Sequence, residues 1–163
     1  MIVVLVGTNP YSFERLVKAV DAIEAKGKEE FFVQLGYTPY EPRRCAFERF
    51  IAKPLLEDKI SRADLIICHG GFGSIRDGLA LGKPVVAVPR QESLGECNDR
   101  QEELVRELEE QGRILAVYDV AMLEETIVKA RHFSGKQGDK NRIPDIISEY
   151  LSKAFASRTG RGK

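Results

Sequence analysis

Residues 69 to 77 read His-Gly-Gly-Phe-Gly-Ser-Ile-Arg-Asp, the densest collection of chemically useful groups in the chain. An imidazole, a hydroxyl and a carboxylate stand within one short span of three glycines. Glycine lets a backbone come close to a ligand, and the unpaired N–H groups of a helix start favour an anion such as a diphosphate. The chemistry suggested is anion recognition by main chain. The flanking sequence supplies the setting: Leu65, Ile66, Ile67 and Cys68 form an apolar run suited to a buried parallel strand, and Phe72, Ile75 and Leu79 fall on one helical stripe. Strand, glycine turn and helix follow in order. Ligands bind at such turns in open parallel sheets, although a tight turn alone accounts for the same residues.

The rest of the chain must position this unit. Met1 to Val6 reads as a first buried strand ending at Gly7, Thr8, Asn9 and Pro10, after which Ser12 is expected to cap a helix from about Phe13 to Lys26. Phe31 to Leu35 is the next strand. Cys45 to Ile51 alternates in polarity and is placed near a sheet edge, and Pro54 opens a short helix through about Arg62. Pro84 to Val88 forms a fifth strand. The polar segment from Arg90 to Asp99 reads as a binding loop, and Asn98 or Asp99 is expected to cap a helix from Arg100 to Gln111. Ile114 to Val117 is the sixth strand. Asp119 starts a helix through about Arg131 that should carry Met122, Leu123, Ile127 and Val128 inward, and Pro144 to Phe155 forms a last helix. Alternating strands and helices with short connections predict a Rossmann-like, doubly wound α/β sheet of about six parallel strands. Residues 1–156 should form a single domain and residues 157–163 a flexible basic tail.

Composition narrows the function classes. A chain of 163 residues with 43% hydrophobic and 31% charged residues suits one soluble globular domain. Its 25 basic and 25 acidic residues cancel, which removes the usual electrostatic reason to expect nucleic acid. The opening apolar run is too short for a signal-peptide core and runs straight into Gly7, so a cytoplasmic location is expected. Cys45, Cys68 and Cys97 have no metal-like spacing, and His69 and His132 stand far apart, so no metal is expected. The glycines do not form a GxGxxG fingerprint, and the first turn is Gly-Thr-Asn-Pro, which disfavours a nicotinamide enzyme. There is neither a GxxxxGKS phosphate loop nor a GxSxG elbow.

Four motifs in order and spacing resemble the C-terminal, donor-binding half of GT-B glycosyltransferases of family 28. They are GTN after the first strand, Phe50-Ile51 before a short helix, ADLIICHGGFGSIRDGLALGKPVVAVP, and NDRQEEL. The standalone catalytic subunits of two-part UDP-sugar transferases come nearest, and the resemblance covers roughly residues 1 to 130. It implies that Gly7, Thr8 and Asn9 lie near the diphosphate or acceptor cleft and that Phe50 and Ile51 contact the uracil. Gly70, Gly71 and Gly73 would admit the diphosphate, with Ser74 adding a hydroxyl. Asp77 stands where the peptidoglycan member of the family has a ribose-binding glutamate. Gln101 and Glu102 would read the sugar hydroxyls, with Asn98 beside them. Asp77 is one methylene shorter than that glutamate, and Glu102 replaces an amide, so it accepts hydrogen bonds without donating.

Each assignment has a purely structural alternative. Ser74 and Asp77 have the spacing of a capping box, His69 suits a hydrogen-bonded structural histidine, Phe50 and Ile51 suit a core, and Gln101 and Glu102 suit a solvated first helical turn. Inverting sugar transfer also needs a base for the acceptor hydroxyl. No residue is assigned that role, with His69 the candidate. The resemblance implies that a membrane-anchored partner supplies the acceptor half and a polyprenol-linked acceptor, which would hold this chain peripherally at the membrane. The donor would be UDP-GlcNAc or another UDP-hexose, without cofactor or metal. Self-association through the uncovered cleft is expected when the chain is alone. The rival readings are a nucleotide-sugar epimerase-like protein and a non-catalytic nucleotide-binding module.

Overall fold

A computed structural model describes residues 1–98 and 100–135. The strands are β1 (Ile2–Leu5), β2 (Phe31–Gln34), β3 (Ala46–Glu48), β4 (Leu65–His69), β5 (Val85–Val88) and β6 (Leu115–Ala116). The helices are α1 (Glu14–Glu24), α2 (Lys53–Arg62), α3 (Phe72–Ala80), α4 (Gln101–Glu110) and α5 (Leu123–Ala130), with short 3-10 turns at Glu92–Leu94 and Val120–Met122. All six strands are parallel, in the order β3-β2-β1-β4-β5-β6. This is the Rossmann-like doubly wound sheet that the pattern predicts. The expected last helix and tail, and Asp99, lie outside the described residues.

The central strands are continuous apolar runs because both of their faces are covered. Alternation along β1 divides the core: Ile2 and Val4 pack with α1 and α5, while Val3 and Leu5 pack with α2, α3 and α4. On one face α1 contributes Leu16, Val17 and Val20 and α5 contributes Leu123 and Ile127; on the other, Ile60, Ile75 and Val105 come from α2, α3 and α4. None of the described helices is long and apolar enough to cross a membrane.

Several local expectations are corrected. Phe13, not Ser12, occupies the N-cap of α1 and no side chain of its own caps the helix; its N–H instead donates to Thr38 Oγ1 at 3.0 Å. A hydroxyl from the β2–β3 connection thus satisfies the N–H of the N-cap residue at a helix start that Ser12 does not cap. The edge strand β3 is shorter than Cys45 to Ile51, as edge strands often are. Met122 and Val128 are exposed rather than inward: Met122 ends a 3-10 turn before α5, and Val128 stands about 100° around the helix from Ile127, off the stripe of Leu123, Thr126, Ile127 and Ala130. Asp119 does cap that turn, accepting from the Ala121 N–H.

The connection from β2 to β3 crosses in parallel with no helix of its own, so its peptide groups need other partners. Asp21, buried on α1, supplies them. Its carboxylate accepts from the N–H groups of Arg43, Arg44 and Cys45 and from the Tyr40 hydroxyl, at 2.7 to 3.4 Å. Burial pushes this carboxyl up, but those donors outweigh it and hold its pKa below the ordinary value. A depressed folded-state pKa gives stability that is present above about pH 4 and lost as pH falls through the folded value. Asp21→Asn should therefore cost about 2 kcal/mol at neutral pH, read by urea unfolding, and flatten the acid limb of the pH–stability curve relative to the wild type.

Candidate active site

The strand order reverses between β1 and β4, so the connections leaving these two strands depart to opposite faces and open a crevice at their C-terminal ends. Register fixes what meets there. Leu5 pairs with Cys68, which brings the turn starting at Gly7 against the turn starting at His69.

Gly7 has φ +86°, a conformation that favours glycine, and a side chain there would run into the His69 ring at 2.6 Å. Gly71 abuts the same ring from the other side, leaving no room for a β-carbon. His69 Nδ1 accepts from the Gly71 N–H at 2.9 Å, so a neutral ring carries its proton on Nε2, which lies 3.4 Å from Ser74 Oγ. The imidazole is thereby wedged between two glycine turns with its second nitrogen at the start of α3. The Gly71 N–H is engaged by His69, which leaves the N–H groups that follow it as the open donors of the turn.

The start of α3 is otherwise open. Gly71 is its N-cap and no side chain caps it, so the capping-box reading of Ser74 and Asp77 does not hold. The first-turn N–H groups of Phe72, Gly73 and Ser74 have no partner within the helix. Gly73 faces open space, with nothing within 4 Å of where a β-carbon would stand. Gly70, by contrast, packs directly on α4: a β-carbon would lie 2.8 Å from that of Gln101 and 2.9 Å from a Val105 methyl. Asp77, one helical turn past Ser74, pairs with the exposed neighbouring Arg76 at 2.7 Å.

The remaining predicted residues are less uniformly placed. Thr8 is exposed, and Asn9 Oδ1 accepts from the Tyr11 N–H in a local turn. Gln101 is buried, and its Oε1 accepts from the Arg90 N–H at 3.3 Å, so a solvated first turn is ruled out for it. Glu102 lines a shallow surface groove with Glu103, Arg106, Glu107 and Glu110. Asn98 is exposed and does not cap α4, whose N-cap is Arg100. Phe50 is not core: it is 52% exposed beyond β3, with its ring edge-on to Tyr37 at 5.0 Å between centroids, while Ile51 is partly buried against the α2–α4 face.

Sequence reasoning missed the polar framework beneath these turns. Arg90 is 1% exposed, stacks over the Phe13 ring, and donates to the carbonyls of Val6, Tyr11, Ser12 and Glu96. Arg15 pairs with buried Glu96, which also accepts from the Gln91 N–H. Much of the segment expected to be a free binding loop is therefore tied down from within. The available signal was an arginine placed directly after a proline-ended buried strand.

Comparison with known proteins settles what this arrangement belongs to. Residues 1–152 match the model of the glycosyltransferase family 28 C-terminal domain. The chain belongs to that family.

Among characterised proteins, this family 28 domain is 33% identical over 122 residues to the UDP-N-acetylglucosamine transferase subunit ALG13 of Homo sapiens, covering 68% of the chain. The same subunit of Mus musculus is 32% identical. The chain spans 10% of the length of these relatives. Similar solved structures include MurG of Acinetobacter baumannii (TM-score 0.56, 18% identity, 85% of this chain and 44% of that one). The calicheamicin glycosyltransferase CalG4 (0.59, 15%, 93% and 42%) and the UDP-GlcNAc 2-epimerase of Neisseria meningitidis (0.55, 16%, 92% and 44%) share the same fold.

The contrasting surroundings of two glycines predict opposite stability effects in this domain. Gly73→Ala should raise stability by about 0.5–1 kcal/mol, since a helical glycine in open space is merely flexible. Gly70→Ala should lower it by about 1–3 kcal/mol through overpacking against α4. Thermal unfolding of the two variants beside the wild type measures both.

Proposed function

We propose that this family 28 domain binds a UDP-sugar donor and acts as the donor half of an inverting glycosyltransferase. The observation carrying the proposal is the open start of α3: folding gives no reason for a glycine at Gly73, whereas an anion held by the N–H groups of Phe72, Gly73 and Ser74 does. The same preorganised donors would stabilise charge developing on the departing UDP. His69 is oriented by Gly71 so that Nε2 can add a hydrogen bond at that place. Phe50 and Ile51 would receive the uracil, and Asp77 the ribose. Its exposed pair with Arg76 is of the kind usually worth no more than about 1 kcal/mol, so a ligand can displace it. Gln101, Glu102 and Asn98 would lie toward the sugar, with Gly7, Thr8 and Asn9 on the acceptor side.

UDP-GlcNAc is the preferred candidate donor, because the relatives at 33% and 32% identity carry that substrate in their name. Those relatives are also named as subunits, which favours a partner that contributes the acceptor half. In the proposal that partner is membrane-anchored and presents a polyprenol-linked acceptor at the cytoplasmic surface. Binding uses main-chain amides and a helix start, so it needs no metal.

Calorimetry with UDP and UDP-sugars tests this. UDP should bind equally with and without EDTA, and both Asp77→Ala and Gly73→Ala should weaken it by about tenfold or more. Gly73→Ala should do so despite its higher stability. Absence of UDP binding by the wild type would sink the proposal, and unchanged affinity in both variants would move the site elsewhere. Conversion of UDP-GlcNAc to another UDP-sugar without acceptor would instead mark an epimerase.

A further inference from the structure

Gln34, the last residue of β2, is 4% exposed and its side-chain amide is wholly engaged by main chain. Its Oε1 accepts from the Gly7 N–H at 2.8 Å, and its Nε2 donates to the carbonyl oxygens of Gly7 and of Arg49, both at 3.1 Å. The positive φ of Gly7 turns the first strand out of the sheet, so its peptide groups cannot continue the ladder. The glutamine amide takes the place of the missing rung. It does so across three strand ends, since Arg49 follows β3 and immediately precedes Phe50.

We infer that Gln34 is a positioning residue for the donor site, holding the base side at Phe50 and Ile51 at a fixed distance from the diphosphate side. This rests on the donor-site reading given above. The path is continuous: Arg49 carbonyl, Gln34 amide, Gly7, the His69 ring packed on Gly7, and Gly71 bonded to His69. No member of it apart from Gln34 joins the two sides through a hydrogen-bonded side chain on both. An apolar residue of the same length would leave the N–H and carbonyl of Gly7 unpaired and the Arg49 carbonyl held by the Gly36 N–H alone, loosening one side against the other.

Gln34→Met tests the inference by two readouts. UDP affinity should fall by about tenfold, and Phe50→Ala, harmful in the wild-type background, should cost little more once Gln34 is gone. A purely structural role would lower the melting temperature but leave UDP affinity well below it unchanged, or leave the two effects additive; either result overturns the inference. The second readout needs no ligand: amide exchange of Gly7 should accelerate, with resonance changes reaching both Phe50 and Gly71. If the wild type binds no UDP yet those changes reach both ends, the donor-site reading falls while the mechanical link stands. Changes confined to Gly7 would refute the link. Gln34→Asn, which keeps the amide but is one methylene shorter, should give an intermediate loss and replaces the methionine variant if that one does not fold.

Discussion

The in-register pairing of β1 with β4 is the constraint from which the rest follows. Because the connections leaving the two strands depart to opposite faces of the sheet, no element among the described residues fills the gap above them, and the two turns meet edge to edge. Main-chain density there is high and side-chain volume must be low. That requirement explains the glycines on either side of His69 better than any single contact does. It also places the N-terminus of α3 at the floor of the crevice, where its dipole and unpaired N–H groups face outward.

A parallel sheet that ends in sharp turns leaves many buried peptide groups without ladder partners. Three side chains meet this demand, Asp21 at the start of β3 and Gln34 and Arg90 at the C-terminal ends of the strands. Asp21 organises the helix-free crossover to β3, Gln34 completes the ladder at Gly7, and Arg90 gathers four carbonyls from three separate segments. These residues are charged or polar yet nearly inaccessible, and backbone groups are prominent among the partners of each. Arg15 and Glu96 differ in kind, being a buried ion pair that fastens the loop after β5 to α1.

The fold was legible in the sequence because apolar runs and helical stripes are local signals, and six strands, four helices between them and a fifth after the last emerged from them directly. The two turns at the crevice were legible for a related reason, since clustered glycine after a strand end has few other causes. What could not be read were relations between distant positions. Thr38 accepting from the Phe13 N–H at the start of α1, Asp21 serving residues some twenty positions away, and Arg90 buried within a segment of loop composition all depend on the tertiary arrangement. Met122 was misplaced because it belongs to a 3-10 turn rather than to α5, and Val128 because an apolar side chain next to Ile127 need not share its face. For Phe50 the structure removes the core alternative, since the strand ends before it and leaves the ring exposed.

The Arg90 guanidinium grips Val6, Tyr11, Ser12 and Glu96 by their carbonyl oxygens, an atom that all twenty amino acids possess. The rim it secures can consequently be respelled, with new side chains at Tyr11 or Ser12, while its outline stays put. Such an architecture separates the shape of an opening from the identity of what lines it, and lets a single scaffold adopt new selectivities without first having to be rebuilt.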